Sequence, residues 1–429
     1  MCVGQGTRNK TTCHPASGHS HTAVGYIGNM KNLFLLDPAQ IFLNHGSFGA
    51  CPAEVFENYQ LRQREMERNP VDFLGRRSGT LLGEARAVLA QYLGAQSQDL
   101  VFVPNATTGV NTVARSLATN QRLRSGDEIL TTNHEYGACE ATWEWVCQHT
   151  GARMVRTEIP LPFCAAEFTE RVWANVTPRT RVLFLSHITS GTALIFPIAE
   201  LVQRAREAGI LTLIDGAHVP GHIPLNLDQL GADFYTGNCH KWLCAPKGSA
   251  FLHVRREHHA LLDAPVISWG YALDTSGTQG NAAYTGSTLL ERHMQWQGTR
   301  DIAAFLAVPT AIAFQALHHW PQVRQRCHAM AADALTRMCA HTGMAPVCSD
   351  ADFGQMVVLP VPAMDTEVLG QRLQQEFGIE IPVTTHQGRL FVRISVQGYN
   401  SQTDVDALVQ ALQAIYPRQG GSVGVISGV

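Results

Sequence analysis

ILTLIDGAHVPGHIPLNLDQLGADFYTGNCHKWLCAPKG (210–248) holds two short apolar runs, ILTLIDGAH (210–218) and DFYTGN (233–238), each ending in polar residues. Neither run alternates cleanly between apolar and polar positions. Both therefore read as strands covered on their two faces. DLVFVPN (99–105), DEILTTN (127–133), RVLFLSHIT (181–189) and SAFLHV (249–254) have the same character. Helical patterns lie between them, such as GTLLGEARAVLAQYLG (79–94) and PIAELVQRAREAG (197–209), each closing on a glycine suited to a C-cap. Strand and helix in alternation predict a mostly parallel α/β sheet with helices on both faces.

Beyond this region, residues 262–300 are rich in Gly, Thr, Asp and Ser and read as loops. A long helical region follows from Asp301 to Ala340, then strand-like pieces at 355–359 and 390–396 and a final helix at 402–415. The pattern predicts a large domain over 30–300, with residues 30–60 packing on a smaller C-terminal α+β domain over 301–417. The first 29 residues are polar, and 418–429 are Gly/Ser-rich, so both read as tails. Met30 opens a segment that reads as the start of the fold.

The chain has 429 residues, 45% of them hydrophobic, enough for a large core. Its formal net charge is −3, and no basic stripe with interleaved aromatics is visible, which argues against a nucleic-acid partner. No run of about twenty uncharged apolar residues suggests a membrane span. Eleven cysteines without a framework spacing fit reduced thiols in the cytoplasm. Cys2, Cys13, His14, His19 and His21 match no structural zinc spacing, and no metal is expected.

Four segments carry the chemistry. Lys241 follows a strand between Gly237 and Gly248; it is either a solvated charge or an amine whose proton a buried, partly cationic site removes. His240 beside it can meet a phosphate oxygen. Asp215 ends an apolar strand, where open α/β sheets gather ligands; it could hold a pyridine nitrogen protonated or merely cap an Asp-Gly turn. His218 either touches such a ring or packs. In VPNATTGVNTVARSL (103–117), Thr107 and Thr108 open a helix whose free N–H groups suit an anion, although Thr is also an ordinary N-cap. No Walker or dinucleotide glycine spacing is present. In TNHEYGACEATW (132–143), Tyr136 could stack on a flat cofactor or sit in the core.

In this order the four segments resemble the class V aminotransferase family of fold-type I pyridoxal 5′-phosphate (PLP) enzymes. FLNHGSFGACP (42–52), HEYGAC (134–139) and QGTRD (297–301) look closest to its isopenicillin N epimerase-like branch. The resemblance implies a fold-type I large domain with a mostly parallel seven-stranded sheet and a smaller α+β domain. It implies that Lys241 carries PLP as a Schiff base, Asp215 pairs with the pyridine nitrogen, His218 lies near the phenolic oxygen and Tyr136 stacks on the ring. Thr107, Thr108, Asn238 and His240 would hold the phosphate. Thr299 would reach the phosphate site of a neighbouring subunit, which implies a homodimer. Arg393 would clamp the substrate carboxylate, with Asn44 and His45 facing the substrate.

Desulfurases of this family use a cysteine shortly before that arginine, and PVTTHQGRLFVR (382–393) has none. The expected activity is amino-acid epimerisation through a carbanion at Cα, with C–S β-elimination as the alternative, and transamination or desulfuration behind them. The substrate side chain is not readable.

Overall fold

The computed structural model describes residues 30–271, 286 and 288–417. The expected tails lie outside these residues, as do the N-terminal Cys and His residues considered for a metal. The main sheet has seven strands: β2 (Leu100–Val103), β3 (Glu128–Thr132), β4 (Arg153–Thr157), β5 (Thr180–Ser186), β6 (Leu211–Asp215), β7 (Phe234–Asn238) and β8 (Ala250–Val254). Their spatial order is β2-β8-β7-β6-β5-β3-β4. Neighbours from β7 through β4 are parallel, while β8 runs against both β7 and β2. Two reversals give β2 the direction of β7. The carboxyl ends of β2, β3, β5, β6 and β7 therefore open on one edge, where ligands of such sheets collect.

Residues alternate across the strands, and each face has its own core. Val182, Phe184 and Leu213 pack with the helices Ala106–Thr119 and Gly137–Thr150 on one side. Leu183, Leu185 and Ile214 join the larger core on the other. With both faces covered, these strands have no solvent side to encode, which is why their sequences read as unbroken apolar runs. The edge strand β4 (RMVRT) escaped notice because its side chains are largely exposed or half-buried.

The C-terminal region contains an antiparallel sheet, β11-β12-β9 (Val383–His386, Arg389–Ser395, Met356–Val361). The N-terminal segment reaches this region: β1 (Ile41–Phe42) pairs in parallel with β10 (Ile379–Glu380), and Asn44 bridges to Ser395. The helical stretch after Asp301 is three helices, Ala303–Leu306, Val308–Leu317 and Trp320–Thr342. His319, in the left-handed region at φ +51°, turns the chain before the longest of them. Residues 262–300 are not all loop, since Leu289–Met294 is helical. A capping box between Thr288 and Glu291 starts that helix, and Arg86 pairs with Glu291 to hold it against the large sheet's helices. Among the described residues no helix is long and apolar enough to cross a membrane.

Candidate active site

At the carboxyl edge of the sheet lies a cavity of about 550 Å³, closed on its far side by Ser47, Thr384 and Arg393. Strand ends supply much of its wall: Asp215 closes β6, Ser186 closes β5, Asn238 closes β7, and Asn105 follows β2. Lys241 stands three residues beyond β7 in a turn held by its neighbours. The N-terminal segment packs directly on that turn. A Cβ on Gly49, which sits at φ +71°, would lie 2.0 Å from the His240 carbonyl oxygen, so only glycine fits there. Lys247 Nζ donates to the Gly49 carbonyl at 2.9 Å and fastens the same contact.

Lys241 Nζ is 3.2 Å from His218 Nε2, and Trp242 Nε1–H donates to His218 Nδ1 at 3.2 Å. Burial lowers the Lys241 amine to about 7; Arg393 pushes it further in the same direction, and Asp215 opposes. Burial holds His218 well below the usual imidazole range. Asp215 is raised by burial. Its Oδ1 accepts the Ala217 N–H at 2.9 Å, and its Oδ2 faces Cys139 Sγ at 3.5 Å. Among the described residues no cation stands within ion-pairing distance of this carboxylate. Beneath it Glu135 is buried and pushed up to about 7, although the N–H and hydroxyl of Ser186 donate to it at 2.7 and 2.6 Å.

The helix Ala106–Thr119 points its N-terminus at the cavity. Gly109 lets it approach, since a Cβ there would meet Thr236 Oγ1 at 2.2 Å. The Ala106 N–H is taken by Asn238 Oδ1 at 2.8 Å and the Thr108 N–H by Asn105 Oδ1 at 2.8 Å. That leaves the Thr107 N–H without a protein partner at the cavity wall. The Thr108 hydroxyl also donates to Asn105, at 3.1 Å, and Thr108 does not line the cavity. His240 Nδ1–H donates to the Ser249 carbonyl at 2.9 Å, and burial lowers the ring to about 4. Its Nε2 thus carries a lone pair. It bonds a phosphate oxygen only when it or the phosphate brings a further proton.

Arg393 is 4% exposed. Its Nη1 donates to the Ser190 carbonyl at 2.6 Å and its Nη2 to Ser47 Oγ at 3.0 Å, while Nε has no partner. Among the described residues no carboxylate pairs with it. Burial lowers it only to about 10, so it remains a cation at neutral pH.

Tyr136 lines the cavity and is 46% exposed, so it is not a core tyrosine. His134, two residues before it, is engaged elsewhere: it stacks on His386 and bonds Thr192 and the Ile159 carbonyl. Asn44 and His45 lie outside the cavity wall. Asn44 Nδ2 donates to Glu380 at 3.2 Å. His45 is fully buried and reaches the Lys241 carbonyl with Nε2 at 3.0 Å, so it supports the lysine's backbone. Thr299 is exposed and does not line this chain's cavity. No cysteine lines the cavity, and Cys348 is buried elsewhere. Ser47, Cys139 and Trp242 lie inside the quoted segments 42–52, 134–139 and 210–248, but nothing in the sequence singled them out there, and Ser190 lies in none of them.

An α/β sheet presenting a masked lysine, an unpaired buried carboxylate and an anion-ready helix end defines a PLP-type site. The chain belongs to the class V aminotransferase family, whose model matches residues 42–408. It is 38% identical to isopenicillin N epimerase of Amycolatopsis lactamdurans over 90% of this chain and 98% of that protein. A probable L-cysteine desulfhydrase of Arabidopsis thaliana is 28% identical over 88% of this chain and 83% of its own length. The crystal structure of the cysteine desulfurase CsdA of Escherichia coli superposes with a TM-score of 0.72 at 23% identity, covering 90% of this chain and 97% of that one.

The residues fit the family's cofactor. Asp215 lacks the cation that a protonated pyridine nitrogen would be, the Thr107 N–H lacks an acceptor, and Lys241 is an amine near neutrality. The protein is a PLP-dependent enzyme of this family.

Proposed function

We propose that the chain epimerises an amino acid at its α-carbon. The observation that carries the reading is the convergence of Lys241, Asp215 and an unpaired Arg393 on one cavity, in a chain related over nearly its whole length to an epimerase. PLP, when bound, withdraws electrons from the substrate's α-carbon and so acidifies its proton. Arg393 takes the substrate carboxylate, with the unpartnered Nε–H and the second N–H of Nη2 left to orient it. Lys241, whose amine is lowered to about 7 and so is free of its proton about half the time at pH 7, removes the α-proton on its face. Asp215 keeps its charge opposite the pyridine nitrogen. Epimerisation also needs a proton donor on the other face. Of the three candidates His218 stands on the lysine side and His45 outside the wall, which leaves Tyr136.

The phosphate would sit on the Thr107 N–H and hydroxyl, with Asn238 and Thr108 fixing the loop that presents them. We assign residues 30–300 to the cofactor-binding domain and 301–417 to the smaller one. Thr299, exposed away from its own cavity, supports a homodimer in which it reaches the partner's phosphate site. All described cysteines are free, which supports a cytoplasmic protein.

C–S β-elimination is the second reading, favoured by the desulfhydrase-like relative. Incubation of the PLP-loaded enzyme with L-amino acids and cysteine conjugates in deuterated water separates the two. Deuterium at Cα with inversion supports epimerisation; pyruvate release without inversion replaces it with lyase activity.

A further inference from the structure

We propose that Trp242 is a positioning residue: its indole N–H fixes the tautomer of His218 and thereby turns the Nε2–H of His218, rather than a lone pair, toward Lys241 Nζ. The inference rests on the reading of Lys241 as the reactive amine.

An indole nitrogen only donates. Trp242 Nε1 lies 3.2 Å from His218 Nδ1, so Nδ1 must present its lone pair. An imidazole without a proton on Nδ1 is neutral and carries its proton on Nε2. That N–H, 3.2 Å from Lys241 Nζ, requires an acceptor. Only the uncharged amine has a lone pair to offer, because an ammonium has three donors and no acceptor. The direction of each bond follows from the one before it.

The first donor is itself held. The Trp242 ring, fully buried, stacks on His222 with 4.0 Å between centroids and 26° between planes. His222 Nε2 accepts the Gln355 backbone N–H at 2.7 Å, so its Nδ1–H donates to the His218 carbonyl at 3.0 Å. Gln315 Nε2 donates to the Trp242 carbonyl at 2.7 Å. Both imidazoles are therefore set by donors that cannot reverse, an indole in one case and a peptide N–H in the other.

The other charged or titratable groups facing Lys241 are Arg393 from β12, Asp215 from β6, Cys139 from the helix Gly137–Thr150 and, through His218, the neighbouring His240. Arg393 and Asp215 oppose each other. The His218 tautomer is the one contribution that can invert. Freed from Trp242, His218 can carry its proton on Nδ1 and offer Nε2 as an acceptor, which favours the ammonium.

The test is the pH profile of Lys241 acylation in the full-length apoenzyme, using trace acetic anhydride and peptide mass spectrometry. Trp242→Phe keeps a ring to stack on His222 and deletes the N–H. It should raise the midpoint by about one pH unit, a roughly fivefold loss of reactivity near pH 7, with the same plateau at high pH. In a His218→Phe background, Trp242→Phe should shift nothing further. An unchanged midpoint overturns the proposal, as does an equal shift in the His218→Phe background, which would mean a loosened pocket. Should the variants fail to fold, ¹⁵N NMR of histidine-labelled wild-type apoenzyme decides: His218 protonated on Nε2 supports the chain, and on Nδ1 refutes it. A chain that never acquired a PLP band would sink the functional reading and leave this profile intact.

Discussion

The two walls of the cavity are built differently. On the cofactor wall, Asp215 and Lys241 stand at or just beyond the ends of adjacent strands, 26 residues apart. Their spacing is set by β6 and β7 pairing in parallel, and Asn238 ties the helix of Thr107 to the same edge. On the opposite wall, Arg393 is held by Ser47 and Ser190, and the three residues come from remote parts of the chain. A wall made of strand ends inherits its precision from the sheet. A wall gathered from distant segments depends on how the C-terminal region and the N-terminal segment seat themselves. The proposed roles therefore put cofactor chemistry on the sheet, and substrate choice on contacts that can change while the sheet stays as it is.

That contrast also explains what the sequence revealed. The buried parallel strands are legible because no solvent face interrupts their apolar runs, and Asp215, Lys241 and the helix start at Asn105 are legible because each follows such a run. The edge strand β4 and the two-residue strands β1 and β10 lack that signal. Asn44 and His45 sit in a conspicuous polar turn, yet only three-dimensional packing shows His45 bonded to the Lys241 carbonyl with its ring away from the cavity. The roles of Ser47, inside the quoted stretch 42–52, and of Ser190 could not be read because a serine that accepts from an arginine looks like any other serine. The seating of Trp242 against His218 likewise needs the fold of the turn.

The difference between the walls is most sharply broken at Asp215. Asp215→Asn should reduce kcat by about a thousandfold, the upper end for losing one preorganised electrostatic partner. Stability should move the other way. The folded-state pKa of Asp215 is raised, so its contribution is present at low pH and lost as pH rises through that value. At pH 7 the wild-type apoenzyme carries the destabilisation that burial of this carboxyl brings, and the Asn variant should melt no lower. Normal turnover, or a collapse in Tm with loss of the sheet's circular dichroism, would remove Asp215 from the cofactor wall.

Arg393→Lys should affect the other wall alone. Replacing a planar fork by a point charge should raise KM for the amino acid about a hundredfold, while the affinity for PLP stays within about twofold. In the wild type, KM should be insensitive to deprotonation of this group from pH 7 to 9 and rise as pH passes about 10, where Arg393 loses its charge. If PLP affinity fell in step with KM, the two walls would not be separable.

The smallest effect probes how the substrate wall is assembled. Ser47 Oγ accepts from Arg393 Nη2 at 3.0 Å, and its removal leaves that N–H to the substrate or to water. The loss of one hydrogen bond to a charged donor is worth about 1.5 kcal/mol, so Ser47→Ala should raise KM about tenfold with kcat unchanged. A Ser47→Thr variant, which restores the hydroxyl, should recover most of that loss. The split between KM and kcat matters more than the size of the change. Should Ser47→Ala lower kcat as well, the N-terminal segment would be acting on the Lys241 turn through Gly49, and the substrate wall would share its foundation with the cofactor wall.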